Sequence, residues 1–299
     1  LQNVNVASSP VSWSKAISFF VQDIKIAHSV FALPFAASAL LLFGTIPNTQ
    51  QGLLLLVCMV SARSFAMGLN RLLDAKVDEQ NPRTKSRMIP AGKLSISHAI
   101  ILNAVCGLIF VASAFLLNRL AGYCSVPLLA ILALYPKWKR WSWLTHWYLG
   151  ICLGLSPVAV EVATLGSISV QTVLLGLGVA LWTGGFDVIY ALLDREFDLG
   201  AGVKSAPVRF GVKGALRLSR VSFVGAIACW ATVGILADLG WIYFAGVSCV
   251  AFLLMIEQLM VSKASDCHIP KTINAAFFNL NACVSVTFVV FFIAEKALI

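Results

Sequence analysis

The chain has 299 residues, of which 59% are apolar (AVILMFWYC) and only 12% are Asp, Glu, Lys or Arg, against about 45–50% apolar and about 25% charged in an average soluble domain. With a mean hydropathy of +0.88 and a net charge of +9, the composition excludes an ordinary soluble fold and a disordered chain. The eight cysteines are scattered, mostly inside apolar runs and with no C-x-x-C pair, which argues against a disulfide scaffold and makes them small core residues.

Residues 1–25 mix polar and aromatic side chains, and the stretch WSKAISFF from Trp13 predicts an amphipathic helix lying at a membrane interface. The segment lacks the basic start, compact apolar run and small-residue cleavage site of a signal peptide. Apolar runs follow near 26–43, 53–69, 97–117, 122–135, 143–160, 170–189, 213–236, 241–261 and 272–294. A spanning helix needs about 20 such residues, so the expected fold is an all-α polytopic membrane protein of nine transmembrane helices. Pro127 and Pro136 make the fourth span the shortest, and a barrel is excluded because segments of about ten alternating residues are missing. Residues 26–299 form one membrane domain in this reading.

Charge supports the register. With the amino end inside, 19 of the 22 Lys and Arg residues fall on inner segments, while the outer turns hold Arg119, Glu161 and Asp238 and little else. The net charge is therefore read as topology and attraction to anionic lipid or an anionic substrate. Nucleic-acid binding has nothing beyond charge to support it, and no obligate protein partner is expected. The two longest inner loops, 70–96 and 190–212, each follow an even-numbered span and open on carboxylates, suggesting pseudo-repeated halves about 26–142 and 143–299.

The first carboxylate cluster is NRLLDAKVD, from Asn70 to Asp78. A spacing of four stacks Asn70, Asp74 and Asp78 on one helical stripe, where like charges repel unless something positive lies between them. The second, DVIYALLDREFD from Asp187 to Asp198, sets Tyr190, Asp194 and Asp198 on one face of an expected helix, with Asp187 on a neighbouring face. Facing pairs of carboxylates are the oxygen donors that Mg²⁺ prefers, with phosphate oxygens and water completing its octahedron. Neither cluster contains His or Cys, so zinc and iron are poor fits. A basic set lies alongside: Arg63 within the second span, Arg71, Arg83, Lys85 and Arg87 in the first loop, and Lys204 and Arg209 in the second. Metal-binding carboxylates beside guanidinium and ammonium groups suit a diphosphate leaving group, and the apolar bundle suits a long hydrocarbon tail.

Plainer explanations exist for each residue alone. A single acid at a helix end is usually a cap or a solvated charge, but two D-x₃-D pairs at matching positions are hard to explain that way. Arg63 could snorkel, although a cation two turns inside a span favours a buried partner. His28, His98, His146 and His268 share no metal spacing and read as interfacial or locally satisfied. Trp138, Trp141, Trp143 and Trp147 read as an aromatic belt, Pro34 and Pro157 as kinks, and Gly184–Gly185 as a place of close approach or local unwinding.

The first cluster, followed by Asn81-Pro82-Arg83-Thr84, Arg87 and Pro90-Ala91-Gly92, resembles the first aspartate-rich motif of the UbiA superfamily of intramembrane prenyltransferases. The second, with Lys204-Ser205 and Arg209-Phe210-Gly211, resembles its second motif, closest to the 4-hydroxybenzoate polyprenyltransferase branch. The resemblance implies nine helices around a central cavity, capped on the cytoplasmic side by the two loops, in a bacterial inner membrane. It implies that Asn70, Asp74, Asp78, Asp194 and Asp198 hold two Mg²⁺ on a polyprenyl diphosphate, with Asp74, Asp78, Asp194 and Asp198 as the catalytic carboxylates and Asp187 shaping or joining the site. Lys76, Arg83, Arg87, Lys204 and Arg209, with Arg71 beside them, are then substrate-binding candidates. Arg63 is a candidate for the carboxylate of a small aromatic acceptor or for the diphosphate, and Tyr190 for orienting that acceptor or shielding the allylic cation. The implied reaction joins a polyprenyl group to the ring carbon ortho to the hydroxyl of 4-hydroxybenzoate. Asp194, Asp198 or released pyrophosphate are the candidates for taking up the ring proton. A menaquinone-pathway acceptor is the alternative within the family, and an ion-coupled transporter the alternative outside it.

Overall fold

The structure, a computed structural model, describes residues 12–24, 33–263, 273 and 279–298. Within them the chain forms helices α1 (Trp13–Ile24), α2 (Leu33–Leu42), α3 (Thr49–Gln80), α4 (Ile96–Leu117), α5 (Arg119–Trp141), α6 (Thr145–Leu165), α7 (Val170–Tyr190), α8 (Arg195–Ala201), α9 (Ala206–Leu236), α10 (Trp241–Lys263) and α11 (Asn281–Leu298). Eight of the described helices are long and apolar enough to cross a membrane, and α2 is a shorter apolar helix. The protein is thus an all-helical polytopic membrane protein. The expected first span, 26–43, is described only from Leu33 onward, where it is a ten-residue helix. The fourth span is not short: α5 runs for 23 residues with Pro127 and Pro136 inside it.

Local sequence sets the helix ends. Asn48 and Gln51 form a reciprocal capping box at the start of α3, and Ser95 and Ser169 cap α4 and α7. Asn118 caps α5 with its Oδ1, while its Nδ2 donates to the carbonyls of Val162 and Ala163 at the end of α6. Glu161, expected in an outer turn, instead lies in the last turn of α6 at 2% exposure. There it accepts from the Ser169 N–H and from Ser167, Ser169 and Thr172 hydroxyls, placing negative charge at the positive end of α7. Glu295 on α11 treats α10 likewise, accepting from the Gly240 and Tyr243 N–H groups.

Helix α7 is the axis of the bundle, packed closely on α6 and α9. Trp182 and Trp230, on α7 and α9, meet Phe35 of α2 and Phe288 of α11 in a buried ring cluster with centroids 5.0–6.4 Å apart. Their indole N–H groups are satisfied by Asn281 Oδ1 at 2.9 Å and the Leu175 carbonyl at 3.3 Å. Along α6 and α7, a methyl group at Gly150 or Gly154 would collide with the carbonyl of Ala180 or Gly176, so only glycine permits this approach. Gly184 and Gly185 do the same against Trp147 and Phe223, and α7 stays helical through them to Tyr190. Helix α1 docks on α3 and α4 through buried Ala16, Phe20, Asp23 and Ile24. Among the described residues the cysteines are not core residues: Cys124, Cys249 and Cys283 are exposed, and Cys58, Cys106, Cys152 and Cys229 half-buried, while Cys267 lies outside the described residues.

Candidate active site

The C-terminal end of α3 keeps its helical register through Gln80, so Asn70, Asp74 and Asp78 rise along one stripe and all line one cavity. Asn81 ends the helix in extended conformation, its Oδ1 accepting from the Arg83 N–H at 2.9 Å. The Thr84 hydroxyl bonds the Asp78 carbonyl at 3.1 Å. These bonds wind the segment back over the helix end and bring Arg83 and Arg87 above the carboxylates.

The second cluster is not the continuous helix that its spacing suggests. Helix α7 stops at Tyr190, a 3₁₀ turn covers Ala191–Asp194, and α8 restarts at Arg195. The turn re-aims the chain, yet Asp187, Tyr190, Asp194 and Asp198 still line the cavity that receives the first cluster. That cavity holds about 200 Å³ and also takes in Arg83, Arg87, Lys139, Lys204, Tyr135 and His146.

The geometry is one of opposed charges. Arg83 grips Asp194 with two N–H groups, Nε to Oδ1 at 2.8 Å and Nη2 to Oδ2, and reaches the Tyr190 hydroxyl at 3.2 Å. Asn81 Nδ2 adds a bond to Asp194 Oδ1 at 3.2 Å, so the first loop is fastened to the second motif. Burial alone would lower the pKa of Arg83, but the hydrogen bonds and charge of Asp194 outweigh it and raise that pKa above its ordinary value. Arg87 Nη1 meets Asp78 Oδ2 at 2.6 Å, and Lys139 Nζ meets Asp74 Oδ2. His146 Nδ1 lies 2.7 Å from Asp187 Oδ2.

Ten of the residues singled out from the sequence therefore converge: Asn70, Asp74, Asp78, Arg83, Arg87, Asp187, Tyr190, Asp194, Asp198 and Lys204. Five lie outside the lining, among them Lys85, which is exposed. Arg71, buried on α3, turns its guanidinium to α1, its Nε donating to the Asp23 carbonyl at 3.2 Å beside the Asp23 carboxylate. Lys76 is exposed, since two steps along the helix from Asp74 turn a side chain by about 200°. Arg209 is exposed and stacks 5.2 Å from the Trp143 ring centroid and 5.4 Å from that of Phe210. Arg63 lies deeper in α3, and its buried Nε has no hydrogen-bond partner among the described residues.

Sequence reasoning missed three contributors. Tyr135 and Lys139, four apart near the end of α5, are cavity residues, although Lys139 had counted only as a topological charge; the i, i+4 spacing beside Pro136 was the available signal. His146, read as interfacial or locally satisfied, is 3% exposed and faces Asp187. Of the other histidines, His98 is satisfied locally by Ser95 at 2.6 Å, and His28 and His268 lie outside the described residues. The tryptophan belt is partly an internal feature, since Trp147 packs on Gly184 and donates to Ser222 at 3.0 Å.

The donor set fits a hard divalent cation that shares its shell with a ligand. Asp74 Oδ1 is buried without a partner among the described residues, and the remaining donors are carboxylates and an amide. Among the described residues, no three His, Cys, Asp or Glu side chains are gathered closely enough to hold an ion unaided, so phosphate oxygens and water would have to complete the shell, as Mg²⁺ favours. Because Lys139 holds the least exposed of these carboxylates, Lys139→Met is expected to lower turnover about 10–100-fold while leaving the helical content intact. Turnover and circular dichroism on the purified variant check both halves of that expectation.

The model of the UbiA prenyltransferase family matches residues 31–281. The 4-hydroxybenzoate octaprenyltransferase of Shewanella woodyi is 28% identical over 231 residues, covering 77% of this chain and 80% of the relative. Among solved structures, the apo UbiA homolog from Aeropyrum pernix K1 superposes with a TM-score of 0.80 at 32% identity, covering 90% of this chain and 98% of that one. A UbiA homolog from Archaeoglobus fulgidus bound to DMAPP and Mg²⁺ shares the fold with a TM-score of 0.66 at 18% identity, covering 94% of this chain and 99% of that one.

Proposed function

Since the chain belongs to the UbiA prenyltransferase family, we propose that it transfers a polyprenyl group from a polyprenyl diphosphate to 4-hydroxybenzoate in a Mg²⁺-dependent reaction. The observation that carries this reading is the convergence of both aspartate clusters and four cations, Arg83, Arg87, Lys139 and Lys204, on one cavity. The names of the curated relatives support the acceptor. We further infer that the cavity opens to the cytoplasmic face of a bacterial inner membrane and that the chain crosses it nine times. The charge asymmetry of the sequence supports both inferences.

Bound Mg²⁺, held by Asn70, Asp74, Asp78, Asp194 and Asp198, would neutralise the diphosphate as the allylic C1–O bond breaks. Arg83, Arg87, Lys139 and Lys204 bring the complementary charge to its oxygens, fixed in place before the ligand arrives. Breaking that bond leaves an allylic cation that the apolar bundle shields from water. The ring carbon ortho to the acceptor hydroxyl then bonds to C1, and loss of the ring proton restores aromaticity. Arg63 supports a carboxylated acceptor. It lies seven residues before Asn70, about 10 Å farther along α3, with a buried Nε that lacks a partner among the described residues, and a benzoate carboxylate would supply one.

The test offers purified protein in lipid a radiolabelled polyprenyl diphosphate with 4-hydroxybenzoate and 1,4-dihydroxy-2-naphthoate in parallel. Labelling of 4-hydroxybenzoate is expected, and labelling of the naphthoate alone would overturn the acceptor assignment. In the same assay, Arg63→Met is expected to raise the acceptor KM about tenfold or more, the loss of a charged hydrogen bond, without changing the KM of the diphosphate.

A further inference from the structure

His146 opens α6, a helix that carries neither motif, yet its side chain is buried and lines the cavity. Its Nε2 accepts the Ala206 N–H at 3.2 Å, which requires a lone pair there and puts the ring proton on Nδ1. Nδ1 therefore donates to Asp187 Oδ2 at 2.7 Å. One rigid ring thus joins the start of α6, the inner end of α7 and the first residue of α9. The second tie on that rim is the Lys204 N–H, which bonds the Lys139 carbonyl at 3.1 Å, and Lys139 is the partner of Asp74. With Oδ2 held by the imidazole, the Asp187 carboxylate has one orientation and keeps Oδ1 for other partners.

We propose that His146 is a positioning residue for the diphosphate site: it fixes the rotamer of Asp187 and pins the Lys204–Ala206 rim to it, so that both stand ready around the metal-bound diphosphate. This rests on the reading above that Asp187 belongs to that site. Histidine suits the task because its ring presents a donor and an acceptor on opposite edges at once. Asparagine reproduces only the Nδ1 donor, and glutamine only the outer acceptor. The pair therefore separates the bond to Asp187 from the bond to Ala206.

The experiment compares wild type, His146→Ala, His146→Asn and His146→Gln in lipid by two readouts. One is the Mg²⁺ dependence of transfer. The other is the Mg²⁺ dependence of the rise in melting temperature produced by an unreactive thio-analogue of a polyprenyl diphosphate. His146→Ala is expected to need about tenfold more Mg²⁺ in both readouts, with the KM of the aromatic acceptor unchanged. His146→Asn is expected to recover most of the Mg²⁺ response and His146→Gln not to. Wild-type Mg²⁺ dependence in His146→Ala overturns the proposal, as does a His146→Asn variant as impaired as the alanine one, or a parallel loss of acceptor affinity that marks a general packing role. If the alanine variant does not fold, the Asn and Gln variants decide by the same criterion. Failure of the wild type to transfer to any acceptor, with its thermal response to Mg²⁺ and the thio-analogue intact, would count against the functional reading, and the thermal readout would then judge His146 alone.

Discussion

Alanine in place of Asp74 or Asp194 is expected to lower prenyl transfer by about 10³-fold or more, with the protein still folded and membrane-inserted. The two carboxylates come from different halves of the chain, and each has a cationic partner from a third element. Asp74, 1% exposed, meets Lys139 of α5, and Asp194 meets Arg83 of the first loop. Removing either carboxylate takes a ligand from one side of the metal–diphosphate site and frees a cation that can still reach water, since the Lys139 and Arg83 side chains are 25% and 38% exposed. The loss should therefore fall on chemistry more than on folding. Turnover and melting temperature of the same preparations check this. The isosteric Asp74→Asn and Asp194→Asn variants separate loss of charge from loss of shape. Normal transfer in both alanine variants would remove the metal assignment.

The second large effect concerns the scaffold. Gly154→Leu is expected to abolish the close packing of α6 on α7 and to cost about 3 kcal/mol or more, the upper end of what overpacking does. The glycine Cβ position is occupied by the Gly176 carbonyl, and Gly176 in turn faces the Gly154 carbonyl. Backbone cannot rotate aside as a side chain would, so the helices must part. Parting them moves Asp187 and His146, which sit farther along the same two helices, and activity is lost along with stability. The control is Gly52→Ala, where nothing lies within 4 Å of the new methyl group. A monodisperse yield after detergent extraction equal to wild type for Gly52→Ala, and a collapse for Gly154→Leu, are the expected pair of results.

Much of this was legible in the sequence, for reasons that can be stated residue by residue. The long helices announce themselves because a bilayer demands continuous apolar runs, and the stripe Asn70–Asp74–Asp78 is visible because an unbroken helix repeats at a spacing close to four. The second motif shares that spacing but not that conformation: the 3₁₀ turn at Ala191–Asp194 depends on where Arg83 and Asn81 hold Asp194, a contact across more than a hundred positions. Arg71 and Lys76 sit among the motif residues in sequence and point elsewhere in space, one toward Asp23 and one outward. Tyr135, Lys139 and His146 carry the opposite lesson. Each lies on a helix without a motif, and only the packing of α5 and α6 against α3 and α7 brings it to the cavity. Glu161 is legible as an acid near a span end, but not as a cap for the neighbouring helix, since capping across helices leaves no local spacing.

That the two aspartate motifs build one metal–diphosphate site can be tested most directly by anomalous scattering. Crystals of the protein with Mn²⁺ and an unreactive thio-analogue of a polyprenyl diphosphate should show metal density between Asn70, Asp74 and Asp78 on one side and Asp194 and Asp198 on the other. Analogue bound with its diphosphate away from these residues, or bound there with no metal density between the motifs, would contradict that assignment.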